Sequence, residues 1–457
     1  MKIKIEAGNL YDPRNNCEGE VADLYLENGR VVDYISRPDV VIKARNMAVM
    51  PGGIDIHSHV AAFGMNNLRL QRLFPTPREI GRFYGEMGFT HIHEPLMTIT
   101  TAPFVHHELL SIPFVDTSAS LVLPLRDLGE LIREDRVADG AAVVAYLLHS
   151  TKAMNIKLFE PELRYRQEIY AHLNVDPQTV VDFCSRVAAA CNLRLFLRAS
   201  GELLACSFHN PQLLYFTHLG AALAGDKEQR RAVALLQAGA AGDMGLSYPG
   251  KRMHLVLGSK KVGRELLQVD YGFSLPVCLV DLETYHEPQK DRAFQLALTE
   301  GRQRLAFSLD CATPAWPLAF AALFARLLRG ETGDGYSLTE LVRCTRQLPA
   351  EFLGLRGKGH LGAGAAADVA IYEVDETMSA DDMAERLRRC RILIKAGTIV
   401  IQDYKWTGNS PEKYTCWRDL GQVSSELAWR LLDRTTFRAE SLKVSPQLTG
   451  ALLAVGN

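Results

Sequence analysis

Met50-Pro51-Gly52-Gly53-Ile54-Asp55-Ile56-His57-Ser58-His59 occupies residues 50–59 and decides the fold. The stretch is apolar, as in a buried strand, until it ends in two histidines separated by one residue. Because side chains of a strand alternate between its faces, we expect His57 and His59 to lie on the same side. Two imidazoles that converge at a strand end are ligands that zinc accepts. The stretch therefore predicts the beginning of a metal site.

Downstream of this stretch, apolar segments alternate with capped helical segments. Thr76-Pro77-Arg78-Glu79 has the pattern of a capping box with proline at the first helical position, and Asp176-Pro177 begins a second helix. The strand candidates are residues 89–93, 112–116, 156–159, 193–198, 213–218, 254–257 and 305–309. Strands separated by helices predict a parallel sheet, and about eight such units predict a closed (β/α)₈ barrel with its chemistry at the carboxyl ends of the strands. The competing architecture is an open doubly wound sheet, but no G-x-G-x-x-G follows an early strand.

Short β segments stand at both ends of the barrel pattern. Residues 21–27 and 30–35 flank an Asn28-Gly29 turn, and residues 368–373 and 391–402 form a second set. We expect the two sets to pair into one small composite β-sandwich. The predicted domains are residues 1–49 and 356–405 for the two parts of the sandwich, 50–355 for the barrel and 406–457 for a C-terminal extension.

The composition excludes several classes of protein. Lys+Arg 51 against Asp+Glu 53 gives a net charge of -2, which argues against a broad nucleic-acid-binding surface. The best apolar candidate for a membrane span, residues 317–328, is interrupted by Arg326, and the N-terminus lacks the apolar core of a signal peptide. The nine cysteines include no C-x-x-C pair and are typical of reduced thiols. We expect a cytoplasmic protein that binds neither membranes nor nucleic acid.

Three further residues stand in or directly after apolar strand candidates: Lys157, His218 and Asp310. Taken alone, Lys157 is equally well a lysine that snorkels at a strand end. The His-x-His stretch behind a small β segment, however, is the signature of the amidohydrolase superfamily. This resemblance implies that His57, His59, Lys157, His218 and Asp310 bind one or two zinc ions, with Lys157 carboxylated as a bridge. It also implies that Asp310 is the catalytic base that accepts a proton from water.

One ligand of the superfamily is missing. Its fifth barrel strand should end in histidine, but residues 193–200 place Arg198 there. A guanidinium group is always charged and does not bind metal. Three interpretations stay open: His209 supplies the ligand from the following loop, the site holds one metal ion or none, or Arg198 binds a carboxylate of the substrate.

A closer resemblance is carried by several segments, residues 88–97, 106–108, 112–117, 147–152, 358–372 and 394–397. They resemble the A subunit of formylmethanofuran dehydrogenase, whose bacterial branch is the α subunit of the formyltransferase/hydrolase complex. The resemblance runs from about residue 20 to residue 405 and is most discriminating at residues 88–117. It implies an enzyme of one-carbon metabolism that hydrolyses the formamide of N-formylmethanofuran, or of its bacterial analogue, to formate and the free amine.

The same resemblance implies a hetero-oligomer with the other subunits of that complex. We expect the tail to dock them through Trp406, Trp417 and Trp429, since aromatic residues are common interface anchors; the alternative is that these tryptophans cap the chain's own barrel. Two other functions stay open. One is a cyclic-amide hydrolase of the dihydropyrimidinase or dihydroorotase type, and the other is a non-catalytic scaffold subunit with a degenerate metal site.

Overall fold

The computed structural model describes residues 1–62, 69, 75–159, 161, 175–198, 214–216, 252–256, 305–308, 324–325, 327–330, 335–421, 426–432 and 442–455. Within these residues the strands form two sheets. One is a small β-sheet built from both ends of the chain, and the other contains the parallel strands of the barrel. No helix among the described residues is long and apolar enough to cross a membrane.

The chain begins with the first half of the small sheet. Its strands are β1 (Lys2–Asp12), β2 (Cys17–Glu27), β3 (Arg30–Val32), β4 (Val40–Lys43) and β5 (Ala48–Pro51). The turn between β2 and β3 is Asn28-Gly29, with φ values of 50° and 74°. Left-handed conformations at both positions are what a tight hairpin requires, so the Asn-Gly pattern predicted this turn correctly.

Parallel strands follow in chain order around the barrel sheet. They are β6 (Gly53–Asp55), β7 (Phe89–Met97), β8 (Asp116–Val122), β9 (Asn155–Phe159), β10 (Leu195–Arg198), β11 (Leu214–Phe216), β12 (Arg252–Val256) and β13 (Leu305–Ser308). Each is hydrogen-bonded to the next. Among the described residues β13 and β6 share no backbone ladder, but Ser308 Oγ lies 2.7 Å from Asp55 Oδ1. This side-chain bond places the last strand of the series beside the first, which is consistent with the predicted (β/α)₈ arrangement, although the described residues show no backbone closure.

Helices between these strands include α1 (Pro77–Glu86), α2 (Ala102–Ser111), α3 (Leu125–Arg133), α4 (Val137–Thr151) and α5 (Pro177–Ala190). At the start of α1, Thr76 Oγ1 accepts the Glu79 backbone N–H, while the Glu79 carboxylate accepts the backbone N–H of Thr76 at 2.8 Å. This is the predicted capping box. At α5, the side chain of Asp176 accepts the Thr179 N–H at 2.9 Å, so the second predicted helix start is also confirmed.

The chain then returns to the small sheet. After α6 (Leu338–Val342) and α7 (Leu348–Leu353) come β14 (Val369–Tyr372), α8 (Ala380–Leu387), β15 (Ile392–Lys395), β16 (Thr398–Gln402) and β17 (Lys405–Trp406). Strand β14 pairs antiparallel with β5, with Val369 opposite Pro51, so the two ends of the chain share one sheet. The composite β domain predicted from the sequence is confirmed as part of the fold class, whereas the exact domain boundaries stay a prediction.

Gly88 marks the junction between the barrel and the small sheet. Its φ is +75°, and a Cβ atom there would lie 2.0 Å from the hydroxyl of Tyr372. That hydroxyl donates to the carbonyl of Met87 at 2.7 Å and accepts from Arg346. Glycine is therefore required both by the backbone conformation and by the close approach of β14.

Two elements differ from the sequence-based expectation. The strand predicted at residues 112–116 begins only at Asp116, because Pro113 lacks an N–H group and Phe114 has a left-handed φ of 69°.

The C-terminal segment contributes α9 (Glu426–Leu432), α10 (Pro446–Thr449) and two strands that were not expected, β18 (Thr415–Arg418) and β19 (Leu452–Val455). β18 pairs with β8 at Thr117, so this segment extends the barrel sheet at the amino ends of its strands.

Candidate metal centre

His57 and His59 come together directly after the first barrel strand. Their Nε2 atoms lie 3.2 Å apart, and both side chains are buried. In a tetrahedral zinc site with Zn–N bonds of about 2.0–2.1 Å, two ligating nitrogens are about 3.3 Å apart. The separation of the two nitrogens therefore fits a pair of ligands to one zinc ion.

The segment that carries the two histidines is fixed at both of its sides. The Asp55 carboxylate accepts the His57 backbone N–H at 2.9 Å and the Tyr84 hydroxyl at 2.6 Å. Ser58 donates its backbone N–H and its hydroxyl to the carbonyl of His93, at 3.0 and 2.9 Å. Helix α1 and strand β7 thus hold the segment in place through contacts that involve neither imidazole ring.

Glu94, at the carboxyl half of β7, holds the second histidine. Its Oε1 lies 3.3 Å from His59 Nδ1, and its two oxygens accept the backbone N–H groups of Ala61 at 2.9 Å and Leu96 at 3.1 Å. Glu94 is completely buried. No role for it was predicted from the sequence, although a glutamate directly after His93 in a buried strand is the signal that singles it out.

Lys157 and Arg198 lie on the neighbouring fourth and fifth strands. Lys157 is buried in β9, where it pairs with Phe196, and Arg198 is the last residue of β10, where it pairs with Phe159. The ring of Phe159 is within cation–π range of both: its centroid is 6.0 Å from Lys157 Nζ and 4.8 Å from Arg198 Cζ. Two basic groups therefore share one aromatic ring at the carboxyl ends of these strands.

Three of the residues named from the sequence, His209, His218 and Asp310, lie outside the described residues. Within the described part of the chain, no three His, Cys, Asp or Glu side chains form a group that could hold a metal ion. The described ligand candidates are thus the two histidines and Lys157. An ammonium group does not bind metal, so Lys157 fits such a site only after its amine has been modified.

Histidines and serines line the barrel strands beyond this pair. His93 Nδ1 and Nε2 each lie 2.7 Å from a serine hydroxyl, Ser118 and Ser120 respectively, and His91 Nε2 is 2.9 Å from Ser118 Oγ. Burial, reinforced by the charge of Lys358, lowers the pKa of His91 to about 3, so this ring stays neutral. Both nitrogens of His93 are occupied by hydroxyls, which excludes this ring as a ligand in the described arrangement.

A second charged cluster lies at the amino ends of the strands, where Asp116 begins β8. Lys358 Nζ lies 2.7 Å from the Asp116 carboxylate and also contacts Asp368, while Lys395 Nζ lies 3.1 Å from Asp116 and 3.4 Å from Asp368. All four side chains are buried. Burial alone would raise the pKa of Asp116, but the two lysines outweigh it and hold that pKa below its usual value. The cluster is electrically balanced and joins the barrel to β14 and β15.

Comparison with known proteins supports the amidohydrolase fold. A model of the amidohydrolase family matches residues 270–401. The crystal structure of the formyltransferase/hydrolase complex FhcABCD from Methylorubrum extorquens in complex with methylofuran contains a chain that superposes with a TM-score of 0.80, at 19% identity, over 100% of both chains. At this identity the match shows the fold alone.

Two curated relatives give the sequence relationship. FwdA of Methanocaldococcus jannaschii is 23% identical over 88% of each chain. The Fhc relative, the A subunit of the formyltransferase/hydrolase complex of Methylorubrum extorquens, is 32% identical over 34% of this chain and 31% of its own length. The chain is homologous to FwdA and to this Fhc protein.

This homology confirms the resemblance carried by the segments between residues 88 and 397. The fold class is confirmed as well, since the superposition with the Fhc chain covers the whole length. The individual site residues stay predictions: the geometry unites His57 with His59 and Lys157 with Arg198, and it leaves His218 and Asp310 outside the described residues.

Proposed function

We propose that the chain hydrolyses the formamide of N-formylmethanofuran, or of a bacterial analogue, to formate and the free amine, as a cytoplasmic subunit of a formyltransferase/hydrolase complex. The observation that carries the proposal is the convergence of His57 Nε2 and His59 Nε2 at 3.2 Å directly after the first barrel strand. The substrate class is supported by the resemblance of residues 88–117 to the A subunit of formylmethanofuran dehydrogenase, together with homology to FwdA over 88% of the chain. The fold shared with a chain of the FhcABCD complex, which was crystallised with methylofuran, is consistent with it.

The chemistry follows from the proposed donor set. His57, His59 and His218 would hold zinc, which when bound would supply a Lewis acid that polarises a carbonyl and lowers the pKa of water. Lys157, once carboxylated by CO₂, would add a carboxylate to this donor set. Asp310 accepts a proton from the attacking water and passes it to the departing amine nitrogen, which must be protonated to leave. His57 and His59 orient this centre through the contacts that Asp55 and Glu94 make to their segment.

Arg198 modifies this site. A fixed guanidinium near two metal ions repels them, by roughly a few kcal/mol at an effective dielectric constant of about 20. We therefore propose that the chain holds one zinc ion and that Arg198 binds a carboxylate of the coenzyme. Its cation–π contact with Phe159 orients the guanidinium beside Lys157, as an anion anchor requires.

Arg198 also favours a second candidate function, that of a non-catalytic scaffold subunit. The loss of a histidine ligand at Arg198 is also what a scaffold subunit of the complex would show after its metal site had degenerated. The cyclic-amide hydrolase receives less support, because the match to FwdA covers 88% of both chains. Metal content separates the two remaining candidates, since a scaffold binds no zinc.

Fewer tryptophans are available to anchor a partner subunit than the sequence predicted. The Trp406 ring lies 4.5 Å from that of Phe114, and Trp417 is buried beside His149 and Lys152. Trp417 therefore packs within the chain's own structure and is not available for docking, whereas Trp406 is half-buried and stays a proposed anchor. Trp429 remains 37% exposed, with its indole N–H bonded to Tyr146, and stays a proposed anchor.

The proposal is tested with the complex purified from its native source. Zinc content and hydrolysis of the N-formyl coenzyme are measured for wild type and for a His57→Ala/His59→Ala variant. The proposal expects zinc and activity to be lost together, with assembly unchanged. Hydrolysis that continues in the double variant would refute it.

A further inference from the structure

Glu94 is surrounded by hydrogen-bond donors. Its oxygens face the backbone N–H groups of Ala61 and Leu96 at 2.9 and 3.1 Å, and Oε1 faces His59 Nδ1 at 3.3 Å. The carboxylate oxygens accept from the two backbone N–H groups, so the His59 Nδ1 atom that faces Oε1 is placed to donate to it as well.

A proton on Nδ1 determines what the other side of the ring can do. A neutral imidazole carries one N–H group, so His59 then presents a lone pair at Nε2. That Nε2 atom faces His57 Nε2 at 3.2 Å, the position proposed for zinc. We infer that Glu94 is a positioning residue that fixes the tautomer and direction of His59 for metal binding. This inference rests on the proposed function, because it requires a metal ion at the histidine pair.

The backbone of His59 gives independent support. Its φ is 46°, in the left-handed region that residues other than glycine adopt infrequently. Such a conformation persists where surrounding contacts determine it, and it is common at functional sites. Glu94 holds the ring of His59 with one oxygen and the N–H of Ala61, two residues further on, with the other. One carboxylate thus fixes both the strained backbone and the ring that it directs.

At position 94, the pattern of hydrogen-bond donors and acceptors matters more for this role than the length of the side chain. In Glu94→Gln the amide has one accepting oxygen and one donating nitrogen. If the nitrogen takes the place of Oε2, it opposes the backbone N–H of Ala61. If it takes the place of Oε1, it opposes the N–H of Leu96 and also faces His59 Nδ1, which must then accept, so that the proton moves to Nε2 and blocks the metal. Glu94→Asp keeps two accepting oxygens and only shortens the reach.

The test measures zinc affinity of the assembled complex by competition with a chromophoric chelator. We expect Glu94→Gln to weaken zinc binding by roughly 10- to 100-fold, the usual effect of losing such a supporting contact, and Glu94→Asp to weaken it less. If Glu94 contributed only to packing, Glu94→Asp would weaken zinc binding more than Glu94→Gln, because aspartate leaves the larger void. Glu94→Gln within about threefold of wild type, or Glu94→Asp weaker than Glu94→Gln, would overturn the inference.

Glu108→Gln is the matched control. Glu108 is also a buried glutamate, and it pairs with Arg69, which donates to the carbonyl of Val60 in the same histidine segment. It contacts neither His57 nor His59 in the described structure, so we expect zinc affinity within about threefold of wild type. Urea unfolding of each metal-free variant shows how much folding stability has changed, independently of metal.

His57→Ala separates failure of the inference from failure of the proposed function. If His57→Ala abolishes zinc binding while Glu94→Gln does not weaken it, the positioning role is refuted and the metal site stands. If His57→Ala leaves zinc affinity unchanged, the metal is not at this pair, and both the proposed function and the inference fail.

Discussion

The guanidinium of Arg198 lies 4.8 Å from the ring centroid of Phe159, the residue with which it pairs across β9 and β10. Lys157 Nζ is 6.0 Å from the same ring. A permanent cation therefore stands at the end of the fifth strand, beside the lysine of the fourth, where the superfamily resemblance implies a histidine ligand. The proposed single-zinc state follows from this replacement.

Arg198→His removes the fixed charge and restores an imidazole. We expect zinc content to rise from about one to about two ions per chain, because a ligand replaces a repelling cation. We also expect the Michaelis constant for the formyl coenzyme to rise, because a carboxylate anchor is lost. Metal analysis and steady-state kinetics measure the two effects separately. About two zinc ions in the wild type, unaltered by the substitution, would show that Arg198 does not occupy the ligand position and would direct attention to His209.

Lys157→Ala and Asp310→Asn test the two residues with the largest proposed chemical roles. We expect each to reduce formamide hydrolysis to less than about a tenth of wild type, since one removes a metal-binding group and the other the base. Size-exclusion chromatography of the complex should show unchanged assembly. Activity above that level in both variants would contradict the assignment of these residues.

Lys358→Met tests the buried charge cluster at the amino ends of the barrel strands. The substitution leaves Asp116 and Asp368 to share the single charge of Lys395. Removing one partner of a buried ion pair costs about 3–5 kcal/mol, and we expect the free energy of unfolding of the isolated chain to fall by that amount. Lys405→Met, on the exposed end of β17, is the control and should change it by less than about 0.5 kcal/mol. Equal effects of the two substitutions would show that the cluster does not stabilise the fold.

The same cluster predicts how stability depends on pH. Lys358 and Lys395 overcome the effect of burial and hold the pKa values of Asp116 and Asp368 below those of the unfolded chain. Their contribution is therefore complete above the unfolded pKa of about 3.9 and is lost as pH falls through the lower folded values. Urea unfolding between about pH 5 and pH 2 should show a smaller loss of stability in Asp116→Asn than in wild type. An identical pH dependence would contradict the assignment.

Local signals in the sequence predicted much of the fold. The capping box at Thr76, the cap at Asp176 and the Asn28-Gly29 turn depend on neighbouring residues, and each is present. The strands β18 and β19 were not predicted, because β18 pairs with β8, which brings Thr415 to Thr117, nearly 300 residues earlier in the chain, and β19 pairs, among the described residues, only with β18. No periodicity within a segment contains that information.

The candidate site also contains residues that the sequence predicted and residues whose role only the structure shows. The His57-x-His59 spacing identified the pair whose nitrogens converge, because one strand segment positions both. The sequence could at most have singled out Glu94 by its place after His93; its contacts to His59 and Ala61 depend on the fold of β7 beside β6. Lys358 and Asp368 were noted only as parts of a family-like segment, since their partner Asp116 comes from a distant strand.

The central claim is tested most directly by stripping the purified complex of metal, titrating zinc back and following hydrolysis of the N-formyl coenzyme. We predict that activity is absent without metal and rises linearly until about one zinc ion is bound per chain, as a single metal centre at the His57–His59 pair requires. A complex that binds no zinc at this chain, or that hydrolyses the formamide equally well without it, would contradict the account.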